Sequence, residues 1–113
     1  MTDVRAHLRF LPVSAQKVRR VVDLVRGMNA NQALDTLRFV PSHAAVPVLK
    51  LLKSAVANAE ENFGVSRDEL YIATIFANEA PTRKWRRFGA RGRFKPILRR
   101  SSHVTIILRE REA

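Results

Sequence analysis

The side chains with chemical potential are concentrated in one stretch. Between positions 83 and 100 stand nine basic residues, Arg83, Lys84, Arg86, Arg87, Arg91, Arg93, Lys95, Arg99 and Arg100, and no acidic one. Arginine outnumbers lysine seven to two there. That ratio matters because a guanidinium pairs with phosphate through two parallel hydrogen bonds and stacks on bases. Trp85, Phe88 and Phe94 are interleaved with these charges and offer flat faces to unpaired bases. Gly89 and Gly92 permit a bend or a close backbone approach. The chemistry on offer is recognition of a polyanion.

Catalytic chemistry has no comparable support. His7, His43 and His103 are far apart, and none has metal-ligand spacing with a partner. Glu60-Glu61 and Asp68-Glu69 are adjacent pairs of the kind that solubilise a helix end or a loop, not spaced acid–base dyads. Ser14 lies three residues before Lys17, but a helix N-cap accounts for it. Gly89-Ala90-Arg91-Gly92 lacks the strand-to-helix setting of a phosphate loop. No catalytic, cofactor or metal site is expected.

The whole-chain balance sharpens the contrast. The 113 residues carry 21 Lys+Arg and 10 Asp+Glu for a net charge of +11, yet the 95 residues outside 83–100 account for only +2 of it. Charge meant for solubility would be spread over the surface. Hydrophobic content of 46% supports a folded core. No apolar run reaches the ~18–20 residues that span a bilayer, and there is no cysteine. The expectation is a small basic intracellular protein with no membrane partner and no disulfide.

These residues need positioning elements. Val4, Ala6, Leu8 and Phe10 alternate with Arg5, His7 and Arg9, the period of a half-buried strand over 4–10. Pro12 ends it and Ser14 is placed to cap a helix over 15–26, with apolar positions 15, 18, 21, 22 and 25 and Gly27 as its stop. Its other side carries Lys17, Arg19, Arg20 and Arg26, with Asp23 placed to pin both Arg19 and Arg26. Asn29 and Gln32 read as a capping box for a helix from 30 to about 39. Ser42 is placed to cap a third helix running to about 62, with Ala45, Val48, Leu49, Leu52, Val56 and Ala59 facing inward, widened by Leu51 and Ala55. Pro47 should kink its first turn or delay its regular start.

Residues 70–78 read as a strand with Leu70, Ile72, Thr74 and Phe76 on one face, and 102–109 as another, with Val104, Ile106 and Leu108 on one face. More than twenty residues between them lack apolar periodicity, too long for a structureless loop in a compact domain. The expectation is that both strands continue outward as a two-stranded ribbon, reaching roughly 30 Å past the core at ~3.3 Å per residue. The fold class is therefore α+β, three helices on a small antiparallel three-stranded sheet with a projecting basic hairpin. It reads as one domain over 1–113, the body about 1–78 and 102–113 and the arm about 79–101.

In these residues the chain resembles the bacterial-type large-subunit ribosomal protein 22 family. The resemblance rests on Ser14-Ala15-Gln16-Lys17-Val18-Arg19 with its continuation to Arg26-Gly27, Gln32-Ala33-Leu34-Asp35, Ser54-Ala55-Val56-Ala57-Asn58-Ala59-Glu60, Glu79-Ala80-Pro81, and Ala90-Arg91-Gly92-Arg93 running on through 97–104. It implies a ribosomal protein, bound to large-subunit (23S-type) rRNA beside neighbouring ribosomal proteins in the cytoplasm, as a monomer within the ribosome. By implication the contacts with rRNA are made by Arg9, Ser14, Lys17, Arg19, Arg20, Arg26, Asn58, Arg83, Lys84, Arg91, Arg93, Lys95, Arg99, Arg100 and His103. The hairpin would line the polypeptide exit tunnel, with Lys84, Trp85, Arg86, Arg87, Phe88 and Gly89 as the tip facing the nascent chain. Trp85, Phe88, Gly89, Phe94, Pro96 and Pro47 depart from the family pattern. The alternative class is an architectural DNA-binding protein that wraps duplex with β-arms.

Overall fold

The structure, a computed structural model, describes residues 3–81, 83–88 and 94–110. The chain order is β1 (Asp3–Leu11), α1 (Ala15–Val25), α2 (Ala30–Arg38), α3 (Ala45–Phe63), a 3₁₀ turn (Arg67–Glu69), β2 (Leu70–Glu79), β3 (Arg83–Phe88), β4 (Phe94–Arg99) and β5 (Ser102–Glu110). β1, β5 and β2 form one antiparallel sheet in that spatial order, and β3 pairs with β4 in a second, two-stranded sheet. The fold is α+β.

Helical periodicity places one face of each helix in the core. α1 buries Ala15, Val18, Val21, Val22 and Val25, the spacing read from the sequence. α2 buries Ala30, Ala33, Leu34 and Leu37, and α3 buries Ala45, Val48, Leu51, Leu52, Ala55, Val56 and Ala59. They pack against Val104, Ile106 and Leu108 of the central strand and Ile72 and Ile75 of β2 in one continuous cluster. The intervening β5 residues, His103, Thr105, Ile107 and Arg109, are only half-buried. Among the described residues, the helices thus cover one face of the sheet and leave the other open.

Helix ends show where local chemistry decided. Gly64 follows α3 at φ 65° and its N–H donates to the Ala59 carbonyl, while Gly27 follows α1 at φ 79°. Both sit in the left-handed region that only glycine enters without steric cost. Asn29 Oδ1 accepts from the Asn31 N–H at 2.9 Å and caps α2. Ser14 occupies the N-cap of α1 in an extended conformation, but its side chain makes no cap hydrogen bond. Ser42 is not the N-cap of α3. Its Oγ accepts from the Ala44 N–H at 3.3 Å, and the regular helix begins three residues later at Ala45. Pro47 then falls in the first turn, where a missing N–H costs no hydrogen bond.

Two register shifts overturn parts of the strand reading. A bulge between Ile72 and Thr74 puts Ala73 out of pairing and reverses which residues face inward. Leu70 and Ile72 are buried before it and Ile75 and Ala77 after it, so Thr74 and Phe76 leave the core face. A second irregularity between Leu8 and Leu11 turns Phe10 away, and Leu11 takes the buried position. Phe10 stands at φ 55°, a non-glycine residue in the left-handed region, with 61% of its surface exposed.

β2 lies at an edge of the sheet, and α1 with its C-terminal turn covers that edge. Gly27 N–H donates to Ile72 O at 3.1 Å and Ile72 N–H to Met28 O at 2.9 Å. Arg26 donates to Ile75 O at 2.9 Å and Arg19 Nε to Ala77 O at 3.1 Å. An uncovered row of strand carbonyls would invite pairing with another chain. At the far end of the sheet Arg109 Nε donates to Asp3 Oδ1 at 2.7 Å, tying the first strand to the last. That hydrogen bond holds the Asp3 carboxyl below its ordinary pKa of 3.8.

The ribbon leaves the body beyond Glu79↔Ser102. Ala80 N–H donates to Ser101 O at 3.0 Å, and regular pairing resumes at Arg83↔Arg99 and continues to Phe88↔Phe94. A compact chain of this length would have a radius of gyration of about 13 Å. The observed 17.2 Å and the 67 Å long axis reflect a body with an arm.

Candidate nucleic-acid interface

Where the arm joins the body, four separate chain segments border a cleft of about 990 Å³. The start of α1 contributes Ser14 and Lys17, the turn leading into α3 contributes Ser42 and His43, and the arm root contributes Glu79, Arg100 and Ser101. The opening turn of α1 lines it, and so do the residues that lead into α3 as far as its N-cap Ala44, so the positive end of the α1 dipole borders the space. Lys17 and Arg100 add full positive charges against the single carboxylate of Glu79. A phosphate group is the chemistry such a cleft accommodates. Ser102, the residue after Ser101, is fully buried and its Oγ has no hydrogen-bond partner among the described residues.

The structure thus gathers Ser14, Lys17 and Arg100 from positions 86 residues apart in the chain. Ser42 and His43 join them without having been read as site residues. The signal was the Pro41-Ser42 pair, which turns the chain into α3 just where α1 begins.

The remaining expected contacts divide by location. Arg20 is exposed on α1, while Arg19 and Arg26 are held on β2 carbonyls. Asp23 pairs with Arg26 at 2.6 Å and not with Arg19, whose guanidinium has swung to Ala77 O. Asn58 accepts a hydrogen bond from the Asn62 side chain on α3. It lines a second, smaller cleft of about 470 Å³ with Arg5, His7, Ser54 and Glu61, away from the arm root. Arg9 is exposed on β1. His103 accepts the Phe10 backbone N–H on Nδ1 at 3.1 Å and meets the Phe10 ring edge-on, centroids 4.7 Å apart.

On the arm, Arg83, Lys84, Trp85, Arg86, Arg87 and Phe88 follow one another along β3, and Lys95 and Arg99 lie on β4. Lys84 pairs with Leu98, four pairs back from the last pair, Phe88↔Phe94. Gly89, Arg91 and Arg93 lie outside the described residues. Among the described residues, no group of three or more His, Asp or Glu side chains could hold a metal ion, and no helix is long and apolar enough to cross a membrane.

A family model described as ribosomal protein L22p/L17e matches residues 6–109. The chain belongs to the ribosomal protein L22p/L17e family. It is similar to the large ribosomal subunit protein uL22 of Clostridium novyi (strain NT), 48% identical over 109 residues covering 96% of this chain and 98% of that one. The uL22 of Clostridium kluyveri (strain ATCC 8527) is 49% identical over 110 residues, 97% of this chain and 99% of that one. The uL22 of Thermoanaerobacter sp. (strain X514) is 46% identical over 110 residues with the same coverage. L22p/L17e proteins are structural components of ribosomes and not enzymes.

Proposed function

We infer that this L22p/L17e protein is a structural constituent of the large ribosomal subunit in the cytoplasm, folded as one domain. It binds 23S-type rRNA and supports assembly by tying separate RNA segments together. The body holds RNA at the arm root through Lys17 and Arg100 and on the exposed side of α1 through Arg20, and the arm threads inward with Arg83, Lys84, Arg91, Arg93, Lys95 and Arg99 on phosphates. The hairpin end lines the polypeptide exit tunnel and meets the nascent chain. Neighbouring ribosomal proteins are the other partners.

The observation that carries this reading is the paired ladder from Arg83↔Arg99 to Phe88↔Phe94 in a segment with nine basic residues and no acid. Like charges at that density repel, and a lone two-stranded ribbon is marginal in water. A polyanion wrapped around it removes the repulsion. The test is sedimentation of tagged protein through a magnesium-containing sucrose gradient, with and without a high-salt wash. Stoichiometric, salt-resistant migration with the large subunit is expected, whereas loss to the top fractions or migration with DNA refutes the reading. Replacing Arg91 and Arg93 with alanine should weaken RNA binding and flatten its salt dependence by about one counterion per lost contact.

A further inference from the structure

We propose that the open face of the three-stranded sheet is a second RNA-binding surface, taking two or three unpaired nucleotides by stacking their bases on Phe10 and Phe76. This rests on the RNA-binding reading above and names a surface that neither the arm nor the cleft supplies. The register sets the layout. His7 and Phe76 flank Thr105 in one row, and the next row along β5 holds His103, with Asn78 on one side and the Phe10 ring on the other. Neighbouring strands are about 4.8 Å apart and successive same-face rows about 7 Å apart, the platform geometry on which sheet-based RNA modules stack two or three bases.

Two observations separate this face from an ordinary solvated one. Phe10 is the described non-glycine residue with positive φ, and it is held there by its N–H bond to His103 Nδ1 and its edge-on ring contact. A strained backbone that keeps an aromatic ring 61% exposed is not explained by core packing. The bulge at Ala73 likewise brings Phe76 out onto this face, 37% exposed, where an unbroken strand would have buried it. The electrostatics select the occupant. Arg5 shares the face through its pairing with Ile107, and Arg9 is exposed beside it. Asp3, the acid at the end of this face, is neutralised by Arg109. Since Nδ1 of His103 accepts from Phe10, its Nε2 carries a proton and can donate to a base edge.

The test uses the full chain, a single-stranded RNA octamer containing uridine, and ultraviolet cross-linking followed by peptide mapping. Adducts are expected on Phe10 or His103 and on Phe76, in addition to those on the arm. Phe10→Gly removes the ring at a φ that glycine tolerates, so folding is retained while RNA affinity falls about tenfold, the loss of one base–aromatic stack. Phe76→Ser should act similarly, Phe10→Trp should keep wild-type affinity, and neither Phe10→Gly nor Phe76→Ser should change the salt slope, because no charge is removed. Adducts confined to the arm, with Phe10→Gly and Phe76→Ser binding as wild type, overturn the open-face site and leave the arm's role intact. Protein cross-links on Phe10 and Phe76 in assembled subunits assign the face to a neighbouring protein and also overturn it. Failure of the wild-type chain to bind any RNA overturns the functional reading itself.

Discussion

Replacing Arg26 with alanine separates a cation held on the β2 edge from the α1 cations proposed to bind RNA. The guanidinium donates to Ile75 O at 2.9 Å in a partly buried setting and to Asp23 Oδ1 at 2.6 Å. A hydrogen bond from a charged donor contributes about 1.5–3 kcal/mol. The ion pair adds little, because its two side chains are 50% and 60% exposed and solvent screens them. The expected loss is about 2 kcal/mol, which for a domain of this length lowers Tm by about 8 °C. Lys17→Ala and Arg20→Ala, at exposed positions with no such bond among the described residues, should move Tm by no more than about 2 °C and reduce the salt slope of RNA binding instead. Calorimetry and a salt titration of RNA affinity on the three variants decide the matter. An Arg26→Ala protein with wild-type Tm and a reduced salt slope would refute the assignment of Arg26 to the β2 edge.

Other perturbations follow from the same geometry. Leu52, fully buried at the centre of α3, should lose about 2–5 kcal/mol on truncation to alanine, read by urea denaturation. Gly64→Ala should cost about 1 kcal/mol from the left-handed φ alone, since an added Cβ would meet nothing within 4 Å; the same melt detects it. Asp3 has its carboxyl pKa lowered by the hydrogen bond from Arg109. Its contribution is therefore complete above the ordinary value of 3.8 and disappears as pH falls through the lower folded-state value. Asp3→Asn should abolish that acid-side component, so the difference in Tm between wild type and variant narrows below about pH 3.8.

Legibility in the sequence tracked how local the deciding physics is. The α1 positions 15, 18, 21, 22 and 25 were readable because one helix face has one period, and all five are buried. The basic ribbon was readable because a charge run without apolar periodicity has few ways to sit between two strands. The face of β2 was not, because a bulge at Ala73 leaves no compositional mark and simply inverts the alternation that follows. Phe10 was assigned to the core for the same reason. Asp23 sits within reach of both arginines along the helix, but only the sheet supplies the Ala77 carbonyl that draws Arg19 away. The cleft at the arm root joins residues from four chain segments, and no local pattern announces such a meeting.

The position of β5 has a consequence for how the molecule comes into being. It follows every other element in the chain, yet it is the middle strand, hydrogen-bonded to β1 on one side and to β2 on the other. Val104, Ile106 and Leu108 of this strand are fully buried. During translation the helices and both outer strands emerge first, and the cationic arm emerges with them, before the strand that closes the sheet. Contacts as distant as Asp3 with Arg109 make closure a long-range step. The arm is therefore presented to polyanions while the body is still open, and the order of synthesis sets the order in which the protein acquires its charge and its shape.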